Sequence, residues 1–200
     1  MLILSGGGDP DQVRPIDEFF AAQINKTKKV IYVPVAMERE VFTYEQCLDW
    51  FTSTYAKFGI QNIEMLTDLQ NAKIPTDTAA IFIGGGNTYK LLKELRESGF
   101  DQQLISYLDS GGTVYGGSAG AMICGKTIET EIHTGSNNYG LTNLSALNLL
   151  NGHDLWCHYT PADDHFISEY PHPLYILSEE SGIIVQNGEI ASIGLPYKRQ

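Results

Sequence analysis

Short apolar runs that end in glycine or proline alternate along this chain with longer segments whose apolar residues recur at helical spacing. Residues 1–5, 29–35, 61–66, 79–83 and 112–116 read as strands, and "KVIYVPVAM" and "AAIFIGGG" are apolar enough to be covered on both faces. Between them "DQVRPIDEFFAAQI" puts Val13, Ile16, Phe19, Phe20 and Ile24 on one helical face, and "YEQCLDWFTSTYAKFG" does the same with Cys47, Leu48, Phe51 and Tyr55. Asn87 caps "TYKLLKELRESGF", which stops near Gly99, and "FDQQLISYLDSGG" ends at Gly111. Strands alternating with crossover helices predict an α/β fold around a mostly parallel sheet. Past residue 130 the pattern weakens into long connections holding all five histidines, and "GIIVQNGEIASIG" then places Asn187-Gly188 between two alternating segments, the signal of a C-terminal β-hairpin.

At 200 residues and 42% hydrophobic content, a single domain over residues 1–200 is expected. The formal charge of -11 is broken by no Lys/Arg-rich block, so neither nucleic acid nor an anionic membrane surface is an expected partner. No apolar run approaches the roughly 20 residues of a membrane span, and "MLILSGGGDP" lacks a basic n-region; the expected location is cytoplasmic. Cys47, Cys124 and Cys157 are odd in number and widely spaced, which suits reduced thiols.

Gly116-Gly117-Ser118-Ala119-Gly120 matches G-x-S-x-G, and its setting matters more than the match. "GTVYG" supplies a strand and "AGAMIC" a helix, so Ser118 would sit on a sharp turn with its hydroxyl lifted above the sheet. The Ala119 amide is then one donor for an oxyanion, and the glycine loop Gly84, Gly85 and Gly86 after the preceding strand offers a second. Neither loop carries P-loop or G-x-G-x-x-G spacing, so no nucleotide is expected.

"IFIGGGNTYKLL" followed by "VYGGSAGAMI" resembles the aspartyl dipeptidase (peptidase E) family of serine peptidases, which is related to the cyanophycinases. The likeness runs from the first strand through His158, roughly three quarters of the chain. It implies a flavodoxin-like three-layer sandwich similar to class I glutamine amidotransferases, with Ser118 as nucleophile in place of their cysteine. It also implies Gly86 and Ala119 as oxyanion donors, with Gly85 and Asn87 of the same loop contacting substrate.

Ser118 needs a base, and five histidines compete. His158 directly follows the apolar segment at residues 155–157 and so would stand at a strand end; it is similar to the catalytic histidine of the family. In that family the acid lies after the elbow helix, where this chain reads "KTIETEIHTGSNN". Glu131 is the expected third member, with Glu129, Asp154 and Asp164 left open and His133 nearest the family's aspartate. No metal site is expected, since His153, His158 and His165 lack H-E-x-x-H spacing.

Together these residues predict cofactor-free acyl transfer: a serine exopeptidase of the dipeptidase type acting on a small peptide. The alternatives are an esterase or amidase with the same nucleophile, and a binding protein that keeps the elbow without catalysis. A homodimer is left open. The dipeptidases resembled here carry an arginine downstream of the histidine, whereas no Lys or Arg occurs from Tyr159 to Tyr197. A cation for an aspartyl side chain would have to come from Arg14, Arg39, Lys90 or Lys126.

Overall fold

The computed structural model describes residues 1–133, 135–195 and 197–199, the side chains of Lys198 and Arg199 aside. Among these residues the elements run in the order β1 (Leu2–Ser5), α1 (Arg14–Gln23), β2 (Lys29–Val33), α2 (Tyr44–Ala56), β3 (Ile63–Met65), β4 (Thr78–Ile83), α3 (Thr88–Ser98), α4 (Phe100–Asp109), β5 (Val114–Gly117) and α5 (Ala119–Met122). After a 3-10 turn at Glu129–His133 come β6 (Asp154–Trp156), α6 (Asp164–Glu169), β7 (Leu174–Ile176), β8 (Ser181–Gln186), β9 (Glu189–Gly194) and β10 (Lys198–Arg199).

Seven strands form one sheet in the order β3-β2-β4-β5-β1-β8-β9. The first five are parallel; β8 pairs antiparallel with β1 (Ser5 opposite Gly182), and β9 antiparallel with β8. The two-residue periodicity of β4 shows why helices cover both faces. Ile81 and Ile83 enter a core with Leu91, Leu95 and Leu104 of α3 and α4, while Ala80 and Phe82 enter a second core with Phe20 of α1 and Phe51 and Tyr55 of α2. The α/β architecture with a mostly parallel sheet is thus the one the alternation predicts, its three layers are those the family resemblance implies, and the hairpin turns at Asn187 (φ 53°) and Gly188 (φ 80°) as a type I′ loop requires.

Helix ends follow local chemistry. Thr43 and Gln46 form a reciprocal capping box on α2, Asn87 Oδ1 accepts from the Lys90 amide at the start of α3, and Gly99 takes the left-handed conformation (φ 69°) that ends α3 and begins α4. The segment that read as loops holds more order than its pattern signals. A second sheet, β10-β7-β6, is built from strands of two or three residues, too short to establish a period. β6 is parallel to β7 and carries Leu155 into the main core.

Candidate active site

Three loops converge at the carboxyl ends of the central strands: residues 6–8 after β1, residues 84–86 after β4, and the turn at Ser118 after β5. Ser118 holds φ 50° and ψ -112°, a strained conformation for a residue with a side chain. Its glycine neighbours make the turn feasible. A Cβ on Gly116 would lie 2.3 Å from the Gly120 carbonyl oxygen, and one on Gly120 would lie 2.4 Å from that of Ile83. The two motif glycines are therefore set by backbone contact between the elbow and strands β4 and β5. The Ser118 amide donates to the Ser5 carbonyl at 3.1 Å, tying the elbow to β1.

His158 lies two residues beyond β6, with its own positive φ of 55°. Its amide donates to the Gly6 carbonyl at 3.0 Å, and its ring occupies the space over Gly7, where a Cβ would come within 2.3 Å of Cε1. Nε2 is 2.7 Å from Ser118 Oγ, and Nδ1 is 3.0 Å from Oε1 of Glu179. An ionised carboxylate only accepts, so Nδ1 carries the proton and donates it to Glu179, which leaves the Nε2 lone pair for the serine hydroxyl.

The carboxylate beside the imidazole is that of Glu179, where the sequence pointed to Glu131. Glu131 is not the carboxylate against the imidazole: its Oε2 accepts from Thr88 Oγ1 at 2.9 Å, in a cavity on the α3 and α5 side of Ser118. The other carboxylates of the segment are also committed elsewhere. Asp154 accepts from the Thr127 amide and hydroxyl and from the Tyr170 hydroxyl, Asp164 accepts from the Tyr159 hydroxyl, and Glu129 lies 3.5 Å from His172. Glu179 reaches the site because β8 runs antiparallel beside β1, so the residues just before Ser181 fall at the carboxyl end of β1. The signal in the sequence was the acidic pair Glu179-Glu180 at the entry of the hairpin.

The first glycine run, "SGGGDP", also belongs to this site. Gln12 Nε2 donates to Glu179 Oε2 at 2.9 Å, and Gln12 Oε1 accepts from the Asp9 amide at 2.8 Å, which fixes which way the amide points. The hydrogen bonds from His158 and then Gln12 hold the Glu179 carboxyl below its ordinary pKa. Cys157, the neighbour of the base, is fully buried, and desolvation pushes its thiol well above the ordinary range.

Gly86 lines the cavity beside Ser118 and has φ 137°, with its Cα packed so closely on Ala36 that a Cβ would lie 2.4 Å from that carbonyl oxygen. Among the described residues neither the Gly86 amide nor the Ala119 amide donates to another group, so both are free to meet an oxyanion. Gly85 packs against Ser118, a Cβ there lying 3.2 Å from the serine Cβ. Asn87 is engaged in structure: Oδ1 caps α3, and Nδ2 donates to the Ser136 carbonyl at 3.0 Å.

Two cavities flank Ser118. The smaller, about 180 Å³, lies between Gly86, Thr130, Glu131 and Trp156. The larger, about 450 Å³, opens toward α2 and is walled by Tyr32, Phe82, Tyr115, Met37 and Trp50. Three of the four cations considered from the sequence serve elsewhere: Arg14 pairs with Asp11, Arg39 lies over the Tyr44 ring, and Lys90 donates to the Val35 and Met37 carbonyls. Among the described residues no group of three or more His, Cys, Asp or Glu is placed to hold a metal ion, and no helix is long and apolar enough to cross a membrane.

Peptidase E of Actinobacillus pleuropneumoniae serotype 5b (strain L20) is 33% identical over 149 residues, covering 72% of this chain and 56% of that protein. Peptidase E of Salmonella heidelberg (strain SL476) is 32% identical over 111 residues, 55% of this chain and 47% of its own length. The chain thus spans about half the length of the curated relatives it matches. Among solved structures, a candidate peptidase E of Listeria monocytogenes EGD-e superposes with a TM-score of 0.78 at 25% identity, over 98% of each chain. A peptidase from an acI-B1 Actinobacterium shares the fold at a TM-score of 0.70 and 16% identity, over 100% of this chain and 93% of its own. A family model for peptidase family S51 matches residues 1–193, and the chain belongs to that family.

Proposed function

We propose that this protein is a serine peptidase of the dipeptidase E type that hydrolyses short peptides through an acyl-enzyme on Ser118. The observation that carries the reading is the unbroken relay from Ser118 Oγ through both nitrogens of His158 to Glu179, at 2.7 and 3.0 Å. His158 Nε2 takes the serine proton as Oγ attacks the scissile carbonyl, and Glu179 stabilises the imidazolium that forms. The Gly86 and Ala119 amides receive the oxyanion, each such donor contributing about 3 kcal/mol in the transition state. Nε2 then protonates the leaving amine. A water, deprotonated by the same nitrogen, releases the acyl group, so the cycle uses only side chains, backbone amides and water.

The strained backbone at Ser118 supports the reading, because strain of this kind is retained where it presents a reactive atom. Three buried free cysteines support a reducing compartment, and we place the enzyme in the cytoplasm on that ground. The test is covalent labelling of Ser118 by a fluorophosphonate together with dipeptide hydrolysis. Labelling and turnover are expected in the native protein, and both are expected to vanish in Ser118→Ala. Ester turnover without peptide turnover would favour an esterase with the same nucleophile, and absence of any adduct would leave a binding protein.

A further inference from the structure

We propose that the larger cavity beside Ser118 is an apolar specificity pocket that takes a bulky hydrocarbon side chain of the peptide, an aromatic one best. The proposal rests on the serine-peptidase reading of Ser118, since it names the substrate class of that same site. The pocket begins in the sheet. Tyr32 of β2 stands opposite Phe82 of β4, and Phe82 opposite Tyr115 of β5, so the strand period puts three aromatic side chains in one row on the face that α2 covers. Phe82 stacks on Tyr115 with ring centroids 4.3 Å apart, and Tyr32 stacks on Phe51 of α2 at 4.3 Å, which holds the row in place. All three rings line the cavity near the strand ends from which the glycine loop at residues 84–86 and the Ser118 elbow emerge.

The chemistry of the walls selects the occupant. No Asp, Glu, Lys or Arg is among the described residues that line this cavity. Its buried polar groups are engaged behind the wall: the Tyr55 and Tyr115 hydroxyls both donate to Asp17 Oδ1, and the Gln46 side chain belongs to the capping box of α2. A charged side chain would lose its water here and find no partner, whereas hydrocarbon gains by leaving water. Trp50 and Phe42 border the same space yet are 42% and 50% exposed, apolar surface that a bound side chain would cover. The size also fits. An apolar cavity of about 150 Å³ already holds benzene, and this one, about 450 Å³, has room for a ring and the chain atoms that carry it. Because the cavity reaches Ser118, Gly86 and His158, a side chain seated in it belongs to one of the two residues joined by the scissile bond. It comes either from the residue that supplies the carbonyl or from the one that leaves as amine. Trp50 and Phe42 are specificity residues here, with no part in the proton transfers at Ser118.

The test compares kcat/KM for alanyl-alanine, phenylalanyl-alanine and alanyl-phenylalanine. Phenylalanyl-alanine over alanyl-alanine reports the residue before the scissile bond, and alanyl-phenylalanine over alanyl-alanine the residue after it. At least one of these ratios is expected to exceed about 20-fold, as burial of a benzyl group in an apolar site allows. Glutamate or lysine in the favoured position is expected to return turnover to the alanine level or below, which a pocket that is merely roomy would not require. In Trp50→Ala the favoured ratio is expected to fall at least about fivefold, and Trp50→Phe is expected to restore at least about half of it; ratios taken within one variant cancel any general loss of activity. Should Trp50→Ala not fold, Phe42→Ala, at the more exposed position, is expected to lower the same ratio. The proposal is overturned if neither bulky side chain is preferred, if a charged residue serves as well in the favoured position, or if the ratio survives in the alanine variants. Fluorophosphonate labelling of the native protein separates the two failures. A labelled enzyme that turns over dipeptides without apolar preference defeats this proposal alone. No adduct at Ser118, or an adduct with no dipeptide turned over, defeats the peptidase reading and this proposal with it.

Discussion

A carboxylate that accepts the Nδ1 proton of His158 on one oxygen and the Gln12 amide on the other cannot become an amide without conflict. In Glu179→Gln, keeping oxygen toward Nδ1 turns the new NH₂ group against the NH₂ of Gln12, whose orientation is set by its bond from the Asp9 amide. Flipping the new amide relieves that clash but forces a donor onto Nδ1 and the wrong tautomer onto the base. Either outcome leaves Ser118 poorly activated, and kcat/KM is expected to fall by about 10²–10⁴. The remedy follows from the same geometry. With Gln12→Glu added, one oxygen of residue 12 still accepts from the Asp9 amide and the other accepts from the new NH₂ group, so the double variant should recover at least about tenfold over Glu179→Gln alone. A double variant no better than the single one would show that Gln12 does not orient the acid.

At the scale of elements, the loop from β1 to α1 acts as the seat of the imidazole. Gly7 has φ 94°, and a Cβ there would press on the His158 ring at 2.3 Å; Gly152 has a similar φ of 84° and nothing within 4 Å. Gly7→Ala and Gly152→Ala therefore share a backbone penalty of about 1 kcal/mol, while only the first displaces the base. Both variants are expected to lose a comparable few degrees of thermal midpoint, but only Gly7→Ala should lose about 100-fold or more in kcat/KM. Equal activities would mean the imidazole is not seated by that loop. The contrast also marks what the sequence reveals. The meeting of Ser118, the glycine loop at residues 84–86 and His158 at one sheet edge was legible because each follows a strand that the sequence signals. Glu179 was not, because its place depends on the antiparallel pairing of β8 with β1, a contact between residues about 180 positions apart in the chain. Glu131 was expected as the acid because the resembled family carries its acid in the segment after the elbow helix, yet the 3-10 turn at Glu129–His133 points that carboxylate to Thr88.

Across the whole molecule, one acid links three elements and makes stability depend on pH. Asp17 of α1 is 1% exposed and its Oδ1 accepts from the Tyr55 hydroxyl of α2 at 2.8 Å and the Tyr115 hydroxyl of β5 at 3.0 Å. It sits on the apolar face of α1, where the hydrophobic pattern showed only Val13, Ile16 and their neighbours. Burial pushes its carboxyl up from an ordinary 3.8 to about 6, and the two tyrosine bonds offset only part of that. The folded chain thus holds this proton more tightly than the unfolded chain does. Below pH 3.8 both states are protonated and the group's stabilising contribution is fully present; as pH rises the unfolded state releases its proton first, and the contribution is lost by the time pH passes 6. The loss amounts to about 3 kcal/mol. Asp17→Asn carries no titrating group, while every other carboxylate is common to both proteins, so the difference in unfolding free energy isolates Asp17. Denaturant titrations from pH 4 to pH 7 are expected to show native stability falling relative to Asp17→Asn by about that amount, most steeply between pH 4 and 6. Parallel curves would show that the proton on Asp17 does not couple to folding. A difference that grew with pH would mean that the tyrosine hydroxyls outweigh burial and hold the carboxylate ionised between the helix layer and the sheet.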